Sequence, residues 1–122
     1  MNKYNPTIRL HLWLETDNGL FFGSGRAQLL KNIDKYGSLK KAAENMKMSY
    51  RAAWGKVKKT EEVLGIELIT KTGTNRDGYQ LTEFGKEFME KFQTWFDRVE
   101  KSALKEAEQI FSWSLKTYKD KL

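Results

Sequence analysis

A mainly α domain with small β-hairpins is predicted by three features of the chain. Two consecutive short segments are each opened by a serine and separated by a turn of about three residues. A turn-rich hairpin follows them directly, and the chain then runs into a long stretch with aromatic residues spaced by four and three. With one proline among 122 residues and no long Gly/Ser tract, the sequence reads as one unit with an appendage, divided into residues 1–82 and 83–122.

The elements are justified in order. From Thr7 to Leu14 the residues alternate, with Ile8, Leu10, Leu12 and Leu14 on one face and Arg9, His11 and Trp13 on the other, a half-buried strand. Asp17-Asn18-Gly19 is a turn signal, and Leu20-Phe21-Phe22 supplies the return strand of an N-terminal β-hairpin. Ser24 is expected to cap a helix from about Arg26 to Tyr36, with Leu29, Leu30 and Ile33 on one face and Gly37 as its terminator. Ser38 opens a second short helix whose inner side carries Leu39, Ala42, Ala43 and Met46. After a tight turn at Lys47-Met48, Ser49 caps a third helix, Tyr50 to Leu64, closed by Gly65. Ile66 to Thr70 is a strand, Thr72 to Gly78 is turn-rich, and Tyr79-Gln80-Leu81 returns. Thr82 caps the long last helix, with Glu83 favourably placed in its first turn and Phe84, Phe88, Phe92, Trp95, Val99 and Ala103 along it. Ile110, Phe111 and Leu115 continue that helix less regularly, and the last few residues are expected to fray. Two capped helices around a short turn, followed at once by a hairpin, constitute a winged helix-turn-helix, here with an N-terminal β-hairpin and a long C-terminal helix.

The charge is not spread evenly. Between Ser38 and Thr60 lie seven basic residues and one acid, so this segment holds the whole net charge of +6 and the rest of the chain balances. Such a local excess is the electrostatic footprint expected for a polyanionic partner. Projecting the third helix at about 100° per residue places Ala53, Val57, Thr60 and Leu64 on the packing stripe. Arg51, Gly55, Lys58 and Glu62 fall opposite. Arg51, near the helix start, is the candidate for bidentate contact with guanine in the major groove. Gly55 would let the backbone approach the groove. Ser49, Tyr50, Lys56 and Lys58 are candidates for phosphate, helped by the helix N-terminus. Lys40 is placed near the backbone, and Lys71 and Arg76 suit a wing, over about residues 68–81, on phosphates or the minor groove. Trp54 lies between the packing stripe and the groove face, so it either packs under the wing or touches DNA.

Other functions find little footing. There is no Cys and one His, so neither a nucleophile pair, a Cys-based metal site nor a disulfide framework is expected, and Glu61-Glu62 diverge from one another on a helix. Gly23-Ser24-Gly25-Arg26 lacks the Lys-Ser/Thr ending of a phosphate-binding loop. No stretch approaches the ~20 apolar residues of a membrane span and no signal-peptide core follows Met1, which implies a cytoplasmic protein with no membrane partner. The aromatic residues of the last helix read as core or as a dimer seam.

The runs Gly37-Ser38-Leu39-Lys40-Lys41-Ala42-Ala43, Met48-Ser49-Tyr50-Arg51-Ala52-Ala53-Trp54 and Leu81-Thr82-Glu83-Phe84-Gly85, with Gly23-Ser24-Gly25-Arg26 and Leu29-Leu30 before them, resemble the DNA-binding domain of the molybdate-responsive ModE-type regulators. More broadly they resemble LysR-type winged helix-turn-helix domains. The likeness covers roughly residues 8 to 100, and its most specific part is the Ser-Tyr-Arg-x-Ala-Trp run. It implies a sequence-specific transcriptional regulator that binds double-stranded DNA, no cofactor, and a homodimer formed through the terminal helix and the N-terminal hairpin. Two departures qualify it. The wing is less glycine-rich than is usual in such regulators, and the chain has no room for the molybdate-binding domains, so no molybdate binding is expected. A protein-interaction adaptor or a small-ligand sensor on the same fold are the alternatives.

Overall fold

The computed structural model describes residues 5–74 and 76–118. Asn75 of the wing turn and the last four residues, where fraying is expected, lie outside the described residues. The elements run β1 (Thr7–Ile8), β2 (Trp13–Thr16), β3 (Gly19–Gly23), α1 (Ser24–Tyr36), α2 (Leu39–Asn45), α3 (Tyr50–Leu64), β4 (Ile69–Lys71), β5 (Tyr79–Leu81), α4 (Glu83–Phe111) and β6 (Lys116–Thr117). This is a winged helix-turn-helix with an N-terminal hairpin and a long final helix.

Local chemistry explains most of the boundaries. The Ser38 side chain accepts the Lys41 amide at the start of α2, and Ser49 does the same for Ala52 at the start of α3. Gly37 and Gly65 end α1 and α3 in the left-handed conformation, at φ 64° and 71°, which glycine adopts without steric cost. Lys47 takes φ 56° in the tight turn between α2 and α3. Thr82 caps α4 through the Gly85 amide.

The core is one cluster. Leu29, Leu30 and Ile33 of α1, Leu39, Ala42 and Ala43 of α2, and Ala53 and Val57 of α3 are buried together with Phe22, Leu68, Leu81, Phe92 and Phe96. Phe22 meets Phe88 and Phe92 edge-on, with ring centroids 4.6 and 5.1 Å apart. The first half of α4 therefore packs on the helix-turn-helix itself. Phe88 and Phe92, readable as a dimer seam, belong to the chain's own interior.

Four expectations are corrected. The single strand from Thr7 to Leu14 is divided. Its burial alternates as predicted, but β3 ends at Gly23, opposite Trp13, so earlier residues have no partner in the hairpin. Thr7 and Ile8 instead pair in parallel with Lys116 and Thr117. Ser24 does not cap α1: the helix starts directly from extended Gly23, without a side-chain cap bond, and Ser24 is its first residue. The last helix does not run on through the tail. It stops at Ser112, at φ 57°, and the chain turns back into β6. The strand expected over Ile66–Thr70 is shorter and later, at Ile69–Lys71.

Among the described residues no helix is long and apolar enough to cross a membrane.

Candidate nucleic-acid interface

α3 is a two-sided element. Ala53, Val57 and Thr60 are buried as the projection requires, while Leu64 is only half-buried at the helix end. Thr60 donates to the carbonyl of Phe21, and Lys59 Nζ lies 3.4 Å from the Asn18 carbonyl, so one flank of α3 leans on the N-terminal hairpin. The opposite flank faces the wing. Between them Ser49, Tyr50, Arg51 and Gly55 are exposed, with Lys56 partly so. Arg51 thus sits in the first turn of α3, free of the core, on the segment that carries the chain's net charge.

The wing, β4 and β5 in antiparallel register from Ile69–Leu81 to Lys71–Tyr79, is held from both sides. The Leu39 amide donates to the Asp77 carbonyl at 3.0 Å and the Tyr79 amide to the Gly37 carbonyl at 3.2 Å, which ties β5 to the α1–α2 junction. Glu61 ties β4 to α3, its Oε2 accepting the amides of Leu68 at 2.8 Å and Ile69 at 3.3 Å.

Trp54 packs under the wing, half-buried, with its ring 6.0 Å from that of Tyr79. Tyr50, Arg51, Trp54 and Tyr79 line a mainly apolar recess of about 440 Å3 between α3 and the wing. Beside it a second recess of about 410 Å3 gathers Lys40 of α2, Tyr50 of α3, and Arg76 and Asp77 of the wing. The geometry thus joins Lys40, Tyr50 and Arg76, which are distant in sequence. Burial pushes the Tyr50 phenol above its ordinary value, reinforced by Tyr79, which shares a side-chain hydrogen bond with it, and by Asp77; Arg76 pulls the other way.

Two other expected contacts are engaged within the chain. Lys58 is bound to Glu61 at 2.8 Å and lies 4.4 Å from the centre of the Trp54 ring. Lys71 donates to the Arg76 carbonyl and lies 5.3 Å from the Tyr79 ring centre. Arg26, in the glycine-flanked segment before α1, is structural: its Nη1 donates to the Leu20 carbonyl at 3.1 Å, and burial lowers its guanidinium below the usual value.

Sequence reasoning missed Tyr79 and Glu61. For Glu61 a signal existed, since Ala53, Val57 and Glu61 are spaced by four and share a face. Tyr79 meets Trp54 only through the wing's fold.

The small-ligand alternative requires a cavity beneath the long helix. The recess there, lined by residues including His11, Phe96, Glu100 and Tyr118, holds about 170 Å3. Ligand pockets are typically roughly 300–1,000 Å3. No group of three or more His, Cys, Asp or Glu among the described residues could hold a metal ion.

Residues 25–86, from α1 through the helix-turn-helix and wing into the first turn of α4, match the model of the bacterial regulatory helix-turn-helix proteins of the lysR family. The chain belongs to that family. This lysR-family chain is 32% identical over 75 residues to the molybdenum transport protein ModE of Azotobacter vinelandii, an alignment that covers 60% of the chain and 28% of that protein. It is 30% identical over 81 residues to the transcriptional regulator ModE of Haemophilus influenzae, over 65% of the chain and 32% of the relative. It therefore spans about a third or less of the curated relatives it matches. Its fold is similar to that of the CbnR DNA-binding domain solved with DNA, with a TM-score of 0.59 at 17% identity over 73% of this chain and 99% of that one.

Proposed function

We propose that this chain is a sequence-specific transcriptional regulator that binds double-stranded DNA, with α3 in the major groove and the wing on the backbone. One observation carries the reading: the whole net charge of +6 lies between Ser38 and Thr60, and the exposed first turn of α3, capped by Ser49, sits in that segment. A helix N-terminus with a neighbouring cluster of Lys and Arg suits phosphate, and an arginine in that turn suits a base edge. Arg51 reads bases. Ser49, Tyr50, Lys56 and Lys40 meet the backbone, Gly55 permits close approach, and Arg76 and Lys71 bring the wing to the flanking phosphates. Trp54 supports this surface by holding the wing strand through Tyr79. Support comes also from the DNA-bound CbnR domain, whose fold this chain shares. The reading places the protein in the cytoplasm, as a regulator and not an enzyme.

We also assign residues 1–82 to DNA reading and 83–122 to self-association as a homodimer. The first half of α4 is committed to the core, but Trp95, Ile110, Phe111 and Trp113 remain exposed along its outer side and end. Two copies would present two recognition helices about one DNA turn, ~34 Å, apart.

Selection of bound duplexes from a random pool, followed by salt titration on the winner, tests the function. Log affinity should fall linearly with log salt, by about 0.9 per neutralised phosphate. No duplex binding at low salt, or a flat salt response, overturns the reading.

A further inference from the structure

Glu61 is 8% exposed, in the last turn of α3. Its carboxylate has three partners: the amides of Leu68 and Ile69, which lead into the wing, and the ammonium of Lys58. Lys58 is drawn back over Trp54, whose ring meets Tyr79 on the wing's second strand. One buried charge therefore holds the first wing strand, and the lysine that neutralises it rests on the ring beneath the second.

We infer that Glu61 is the positioning residue that sets the wing against the recognition helix, and that Lys58 is its counter-ion, not a phosphate contact. A buried carboxylate stripped of its ammonium is left with an uncompensated charge, so the pair resists separation. If Lys58 reached for phosphate it would give up both Glu61 and the Trp54 face. The side-chain ammonium groups of Lys56 and Lys40 make no hydrogen bond or ion pair among the described residues, and their charges remain available. The helix thus separates its lysines by task, Lys56 toward DNA and Lys58 inward toward the wing's anchor. The fixed wing in turn allows base reading at Arg51 and backbone contact at Arg76 to occur together.

The inference rests on the DNA-binding reading, and the test separates the two. Wild type, Lys56→Gln, Lys58→Gln and Glu61→Gln are titrated with salt on the selected duplex. Lys56→Gln should lower the salt slope by about 0.9, the signature of one lost phosphate contact, whereas Lys58→Gln should keep the wild-type slope. A slope lost equally in both variants overturns the counter-ion assignment. Glu61→Gln should weaken binding about tenfold, the size of one charge-assisted hydrogen bond. In a Lys71→Gln/Arg76→Gln background it should cost nothing further, because the wing then has no basic residue to bring to phosphate. An equal cost in both backgrounds is the mark of general destabilisation and overturns the positioning role. Amide hydrogen exchange on the free protein reads the same linkage without DNA. Leu68 and Ile69 should exchange faster in Glu61→Gln than in wild type. Unchanged rates refute the anchor whether or not the duplex binds.

Discussion

Alanine at Gly85 and alanine at Gly55 should have opposite effects, although both glycines lie in helices. A Cβ built at Gly85 would stand 2.2 Å from the Leu68 carbonyl oxygen, 3.1 Å from its carbon and 3.3 Å from its Cα. An unstrained carbon–oxygen contact needs about 3.3 Å, so α4 must retreat by about 1 Å from the backbone that leads into β4. All three atoms are backbone, and no side chain can turn aside. The retreat strains two anchors, the Thr82 amide on the Leu68 carbonyl at 2.9 Å and the Thr82 hydroxyl on the Glu67 carbonyl at 2.8 Å. Each is worth about 1 kcal/mol. Overpacking adds roughly 1–3 kcal/mol, and helix propensity returns at most about 1 kcal/mol. The net loss is about 2–4 kcal/mol, and at this chain length the melting temperature should fall by roughly 10 °C. At Gly55 a Cβ meets nothing within 4 Å, so alanine should stabilise by about 1 kcal/mol and raise the melting temperature by a few degrees. Far-ultraviolet circular dichroism during heating and during urea titration measures both, at equal protein concentration. A Gly85→Ala protein as stable as wild type would refute the close-contact argument. Loss of stability in Gly55→Ala would show that α3 is packed where the structure leaves it open.

Arg51→Ala should cost about 1–3 kcal/mol on the preferred duplex and relax selection at one base position, while Lys56→Ala weakens all sequences alike; a binding-site selection repeated with each variant distinguishes them. Ser49→Ala removes the side-chain acceptor for the Ala52 amide and should cost about 1 kcal/mol in urea unfolding, with Ser49→Gly losing less. Because the Tyr50 phenol is raised in the fold, chiefly by burial, its stabilising contribution is complete below the unfolded value near 10.0 and is lost as pH climbs through the folded one. Stability should therefore fall less steeply above that pH in Tyr50→Phe; an alkaline limb identical to wild type would remove Tyr50 as its source. Calorimetry with molybdate should give no saturable heat, since no oxyanion pocket is expected in this chain, and one-per-protomer binding absent with sulfate would contradict that.

What the sequence determined by itself is local. Ser38, Ser49 and Thr82 cap helices through amides three residues ahead, and Gly37 and Gly65 close them, because such bonds need only neighbouring residues and the right backbone angle. The alternation from Thr7 to Leu14 and the Ala53–Val57–Thr60 stripe are likewise written in their spacing, as is the charge around α3. The tertiary structure decided partners. Alternation told which face of residues 7–14 is covered, but not that Thr7 pairs with Lys116, since a strand's period carries no address for its neighbour. A stripe of phenylalanines at helical spacing is equally suited to a seam or a core, and only the position of Phe22 placed Phe88 and Phe92 in the core. Helical projection set Lys58 outward with Arg51. A four-carbon side chain can swing back, however, and it does so here because the fold buries Glu61 under the wing and requires a positive charge beside it.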